Sequence, residues 1–346
     1  MPIYPGFIST TNCPNFTGEL FALGEGMNRS SFTKLMGFIA GITTGLVPNP
    51  GAGFGSLINP NGQIAMTNSS VFKMKATYDL GQPNTEGLSE NDLASGINPE
   101  YVTADMGYGV IQPFMKPVQS TYYNESASQE YTANVNTGRV DATPPIGMGV
   151  SKLSFQISAA IARIQQDYEN ACINGIAQYA VNNNTKIRMG GLIPGCTVNS
   201  VDAAGVALSK ALITTLLMEM YNNKAEFSRM AFFVNATQRE KLTDLYTNPT
   251  GYITLDPLIG GARVDIIRTN YGEIMVFLND KVPNDTLLCV DMDHVRPMIM
   301  EVGSRGGVFY EPKQQVGAAE GGIVYGQLGL DYNSPVFHGV ITNLLV

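Results

Sequence analysis

Apolar residues change their spacing several times along this chain, and each spacing predicts a different element. From 151 to 181, Leu153, Ile157, Ala160, Ile164, Tyr168, Ala171, Gly175 and Tyr179 step by threes and fours, while Lys152, Arg163, Gln166, Asp167, Asn170 and Asn174 occupy the other faces. That period predicts one long amphipathic helix, roughly 45 Å at about 1.5 Å per residue, with Asn182 to Asn184 stopping it. A second stripe of Leu208, Leu212, Leu216 and Met220 predicts a helix over about 204–223. "MAFFV" at 230–234 is apolar throughout, as in a buried strand. A helix follows it, for which Thr237 and Glu240 have capping-box spacing.

Elsewhere the pattern is that of strands and turns. Residues 71–78, 108–111 and 118–123 are β-prone, and between the first two lies the polar run "DLGQPNTEGLSENDLASGINPEYVTAD". A structureless run of that length does not suit a compact domain, so it is expected to project and to become ordered on another subunit. Residues 268–300, "RTNYGEIMVFLNDKVPNDTLLCVDMDHVRPMIM", parse as a β-hairpin with strands 271–278 and 286–291 and "NDKVPND" as the turn. Residues 1–60, rich in Pro, Gly and Asn, predict an extended arm with a short helix near 31–42 that could bury little alone. From 304 onward glycine-rich turns alternate with strands in "GGVFYEP", "GIVYGQLGLDY" and "HGVITNLLV".

Composition adds a statement about surface. The 346 residues are 44% hydrophobic but only 14% charged, so Asn, Thr, Ser, Gln and Gly must cover much of the exterior. Few charges means little desolvation cost when large areas are buried against neighbours. A net charge of −8 argues against gripping nucleic acid through its phosphates, although it permits enclosing it. Cys13, Cys172, Cys196 and Cys289 form no CxxC pair, which points to free thiols and away from a disulfide framework or zinc site. The first residues carry no basic, apolar leader pattern, so no signal peptide is expected. "LMGFIAGITTGLV" at 35–47 is too short and too glycine-rich for a membrane span, which takes about 20 residues.

Asp291, Asp293 and His294 are the residue types a metal-assisted hydrolase would use. In a continuing strand, Asp291 and Asp293 would share a face with Leu287 and Cys289, and His294 would fall opposite with Val290 and Met292. That alternation keeps the three apart and favours a structural role. His338, in "SPVFHGVI", reads as a packed histidine with one nitrogen satisfied. "GAGFGS" at 51–56 lacks the preceding strand and following helix of a phosphate loop. The tyrosine-rich "STYYNESASQEY" carries Glu125 and Glu130 but no Arg, which suits packing better than base stacking. No catalytic, cofactor-binding or metal residue is therefore assigned.

The order of these elements resembles tailed-bacteriophage major capsid proteins of the Hong Kong 97 fold. The pieces carrying the resemblance are "SKLSFQISAAIARIQQDYENACINGIAQYA", "MGGLIPG", "MAFFVNATQREKLTDLY", "TNYGEIMVFLNDKVPNDTLLCVDMDHV" and the closing "LDYNSPVFHGVITNL". The resemblance implies an α+β fold divided into an amino-terminal arm (1–60), an extended loop with peripheral-domain strands (61–145), a spine helix of the peripheral domain (146–194), an axial domain (195–303) and closing peripheral strands (304–346). It further implies hexamers and pentamers that build an icosahedral virion capsid around double-stranded DNA, assembled in a bacterial cytoplasm with scaffolding, portal and cement proteins and no membrane. The chain opens with no segment resembling a cleaved scaffolding domain. Lys73 and Lys75 come with no acceptor asparagine and acid that would point to covalent cross-linking. An encapsulin-like compartment shell is the rival reading with the same fold.

Overall fold

The computed structural model describes residues 31–36, 65–75, 77–79, 104–105, 107–122, 132–134, 139–141, 152–247, 253–259, 262–303, 307–313 and 317–346. The rest of the arm, "GAGFGS", most of the polar run, the tyrosine-rich stretch beyond Tyr122, Cys13 and all but two residues of 35–47 lie outside the described residues.

Two sheets organise the chain. The larger has seven strands in the order 253–259, 262–269, 272–278, 230–234, 287–291, 339–342, 200–202. Strand Met230–Val234 is buried at every position, as its sequence predicts. It runs parallel to Gly272–Leu278 and antiparallel to Leu287–Asp291. The expected hairpin of 271–278 with 286–291 is thereby corrected, because the apolar strand sits between its two arms. A strand apolar on both faces needs a neighbour on each edge as well as cover above and below. The connection between the arms crosses the end of that strand, where Asn279 N donates to Val234 O at 2.9 Å and Asn235 Nδ2 to Val282 O at 3.0 Å. The real hairpin joins Ala262–Thr269 to Gly272–Leu278.

Helices Lys210–Asn222 and Ala236–Thr247 belong to this sheet's core, with Leu216, Leu217 and Met220 packed against Phe232, Leu287 and Ile341. The first begins at 210 and not near 204. Ala204 (φ 50) and Gly205 (φ 79) make a left-handed turn, and the Ser209 side chain then accepts from Leu212 N at 3.3 Å as the N-cap. The second is not capped by Thr237. Its first bond runs from Arg239 N to Asn235 O at 2.9 Å, which places Thr237 inside the first turn.

The smaller sheet has five strands, centred on Ala319–Asp331. Gln112–Thr121 pairs along one edge of that strand, and Val308–Pro312 followed by Arg296–Met300 along the other. Ala65–Thr67 extends the sheet in parallel with 298–300. Helix Lys152–Asn174 lies on it, and the buried Tyr168 hydroxyl donates to Gly329 O at 2.8 Å. This helix, expected to reach 181, ends about two turns early and measures about 35 Å. At Gly175 the chain meets its own return: a Cβ there would lie 2.4 Å from Ala171 O and 2.6 Å from Met189 O. Gly191 N donates to Gly175 O at 2.7 Å, and that crossing turns the chain away.

The short helix of the arm, Ser31–Leu35, departs from expectation in a different way. Phe32, Leu35 and Met36 are fully buried in the chain's own core, with Phe32 edge-on to Phe233 at 5.3 Å. The buried Glu169 carboxylate accepts from Phe32 N at 2.9 Å and Thr33 N at 2.7 Å, and Asn279 Nδ2 donates to it at 2.5 Å. Apolar residues at i, i+3 and i+4 form a single face, and a carboxylate takes up the amides a first turn leaves open, so six residues suffice to dock. Burial still pushes the Glu169 carboxyl above its ordinary range, with these hydrogen bonds opposing the shift.

Replacing Glu169 by Ala should orphan two amides, leave Asn279 Nδ2 with the Ser31 hydroxyl alone, and destabilise the fold by about 2–5 kcal/mol. Glu169→Gln, which keeps one acceptor oxygen, should recover part of that loss in urea denaturation.

Candidate functional site

The chain crosses from the larger sheet to the smaller at 291–296 and returns at 331–339. These two crossovers are stapled together by polar side chains, and the acidic cluster is part of the staple. Strand Leu287–Asp291 gives way to a 3-10 turn, Met292–His294, for which Asp291 is the N-cap. The Asp291 carboxylate accepts from Ser228 N at 3.0 Å, Arg229 N at 3.1 Å and Asp293 N at 3.2 Å. Its own amide donates to His338 Nδ1 at 3.3 Å, while His338 Nε2 contacts Tyr332 O at 2.7 Å. A carbonyl can only accept, so Nε2 carries the hydrogen and the ring is neutral. Burial pushes the His338 pKa down to about 4.

Asp293 lies 3.4 Å from Arg229 Nε, and burial raises its carboxyl pKa. His294 Nε2 stands 3.1 Å from Glu226 Oε2 and its Nδ1 3.0 Å from Asn333 Nδ2. The ring stacks on Phe337 at 3.7 Å with 3° between planes. Arg296 Nε reaches the buried Asp331 Oδ2 at 2.7 Å, and Asn333 N donates to Asp331 Oδ1 at 3.0 Å.

The strand alternation expected to separate Asp293 and His294 does not apply, because the strand stops at Asp291 and the tighter turn resets the side-chain directions. The residues do gather, yet Asp291 is occupied by backbone amides of its own chain. Among the described residues no group of three or more His, Cys, Asp or Glu is placed to hold a metal ion. His338 is a packed histidine with both nitrogens engaged, where sequence had suggested one. Cys172, Cys196 and Cys289 are buried free thiols, and burial pushes Cys196 up to about 12.

Among the described residues, large apolar side chains stand exposed at several places, of which three stand out. Tyr78 and Met115 are 68% and 57% exposed on the strands between 71 and 121. Ile176 and Val181, 68% and 87% exposed, follow the long helix. Tyr221, 64% exposed, closes helix Lys210–Asn222. Tyr179, assigned from its spacing to a helical core stripe, is instead half exposed in the segment after the helix. Sequence could not single out these residues, because an apolar side chain reads the same whether a core or a neighbour covers it. Beside the helix a groove of about 380 Å³ is lined by Gln112, Phe114, Asp167, Asn170, Asn174 and Arg188. The Asp79 carboxylate, at the start of the polar run expected to project as an extended ribbon, meets Lys224 Nζ at 2.5 Å in an exposed ion pair with its own chain, worth about 0–1 kcal/mol.

The site is thus a two-sheet body with a long helix on one sheet and large apolar residues exposed on its surface. The SU10 major capsid protein family model matches residues 58–345, and the chain belongs to that family. It is a tailed-phage major capsid protein, the subunit of an icosahedral virion shell. Among solved structures it resembles the capsid asymmetric unit of cyanophage A-1(L), with a TM-score of 0.55 and 9% identity over 97% of this chain and 99% of that one. It also resembles the holo-SrpI encapsulin complex from Synechococcus elongatus PCC 7942, with a TM-score of 0.51 and 12% identity over 88% and 92%. At such identities the likeness concerns the Hong Kong 97-type fold alone, and the encapsulin is a relative in fold. No curated protein matches the chain.

The His338 ring fixes a pH dependence. Its folded pKa of about 4 lies below the ordinary histidine value of about 6.5, so the unfolded chain binds the proton first as pH falls. The contribution is complete above about pH 6.5 and is lost progressively toward about pH 4. Between pH 7.5 and 5 it should amount to about 2 kcal/mol. His338→Gln should show a correspondingly smaller loss of stability over that interval in chemical denaturation.

Proposed function

We propose that copies of this chain close into hexamers and pentamers whose shell encloses double-stranded DNA without reading its sequence. The observation that carries this reading is the exposure of Tyr78, Met115, Ile176, Val181 and Tyr221 on an otherwise charge-poor chain. Covering such residues with sister subunits gains apolar burial at little electrostatic cost. The net charge of −8 suits a wall that contains DNA without gripping it.

On this reading the five-stranded sheet with helix Lys152–Asn174 is the peripheral lobe, and the seven-stranded sheet with its two helices is the axial lobe. Strand Gly339–Thr342 then belongs to the axial lobe and strand Arg296–Met300 to the peripheral one, which refines the linear division at 303. The chain serves as building material and catalyses nothing. Scaffolding, portal and cement proteins are its partners, and assembly takes place in the cytoplasm of a bacterial host. The weak Asp79–Lys224 tether suits a ribbon that trades its own body for a neighbour's.

Negative-stain microscopy of purified protein should show rings, tubes or closed shells, and a monodisperse monomer at high concentration with its scaffold present would overturn the assembly reading. Particles recovered from infected cells should hold nuclease-protected DNA. Protein cargo in its place would favour a compartment of the encapsulin kind.

A further inference from the structure

The crossovers at 291–296 and 331–339 meet at one side-chain pair, His294 on the outgoing strand connection and Asn333 on the returning one. Asn333 Nδ2 faces His294 Nδ1, while Asn333 Oδ1 is buried with no hydrogen-bond partner among the described residues. A primary amide can exchange these two atoms by turning over. Asn333 also holds a left-handed backbone (φ 60), a conformation that Asn and Asp tolerate better than most residues. On the other side of the ring, Nε2 already stands 3.1 Å from the exposed Glu226 carboxylate.

We propose that His294, Asn333 and Glu226 form a proton-operated latch between the two crossovers. With the ring neutral, Nε2–H donates to Glu226 and Nδ1 accepts from Asn333 Nδ2. A solvent proton taken up at Nδ1 turns that nitrogen into a donor. The Asn333 amide then turns over so that Oδ1 accepts from it, and the contact with Glu226 becomes an ion pair. Charge-assisted hydrogen bonds are roughly twice as strong as neutral ones, and protonation makes the Nδ1 contact with Asn333 charge-assisted, so the protonated latch holds the crossovers together more tightly. The charged groups around the ring are Glu226 and Arg229 from the segment after helix Lys210–Asn222, and Asp291 and Asp293 from its own connection. His338 from the returning segment is neutral at the pH of interest, and Arg296 is already paired with Asp331. Phe337, stacked on the ring, adds no charge. This inference concerns contacts within one chain and holds whether or not the shell reading is correct.

The chain has two histidines, and their titrations can be followed by ring-nitrogen NMR of the full-length protein labelled at histidine and asparagine. Loss of one signal in His294→Gln or in His338→Gln assigns both, whichever variant folds. The Asn333 side-chain amide signal should change in step with the His294 titration. Asn333→Asp, which supplies a fixed acceptor and keeps the backbone conformation, should raise the His294 midpoint by about one unit. Glu226→Gln, at an exposed position, should lower it by about half a unit. Hydrogen exchange at 292–295 and 332–337 should slow by roughly threefold more between pH 7.5 and 5.5 in the wild type than in Glu226→Gln, a comparison in which the His338 contribution cancels. An Asn333 amide signal that stays constant through the His294 titration would overturn the latch, and so would a midpoint unmoved by both substitutions.

Discussion

Strand Met230–Val234 must be covered on two faces and paired on two edges, and most of the fold follows from meeting those four demands. Its edges recruit Gly272–Leu278 and Leu287–Asp291, which forces the expected hairpin open around it. Phe232 and Val234 pack into one core with helix Lys210–Asn222. Ala231 and Phe233 pack into the other, where Phe233 meets both Phe277 and Phe32. A single five-residue strand thus joins the arm helix, the sheet and the helical layer. Removing one of its aromatic rings would open a void shared by elements far apart in the chain.

Much of this was legible in the residues because it depends on local period. The long helix, the buried strand and the succession of strands near the carboxyl end all follow from spacing alone. What was not legible depends on partners distant in sequence. The helix ends at Asn174 because Met189 and Gly191 return against Gly175, a contact no periodicity encodes. The arm helix docks because Glu169, more than a hundred residues away, supplies its acceptor. Glu169 stands next to Tyr168 of the apolar stripe, and once buried there its carboxylate needs donors from elsewhere in the chain. The structural role of the acidic cluster was seen but its geometry was misread, because strand alternation was carried three residues past Asp291, which caps a turn.

The same polar residues that invite an enzymatic reading instead do a mechanical task. The crossovers at 291–296 and 331–339 run side by side, and each needs its backbone amides satisfied away from regular pairing. Asp291, Asp331 and His338 take up those groups, so the junction is defined by directional bonds where a purely apolar contact would permit sliding. An apolar core that takes residues from both sheets lies beside it, and the polar junction adds direction to that contact.

Strand Ala319–Asp331 has a consequence for load. It is flanked along its length by antiparallel neighbours, and inter-strand hydrogen bonds lie perpendicular to the chain direction. Tension pulling 112–121 and 319–331 past one another must therefore shear the whole ladder at once instead of peeling it bond by bond. A container wall woven this way resists stretching in the plane of the sheet far better than it resists being unpicked from one end.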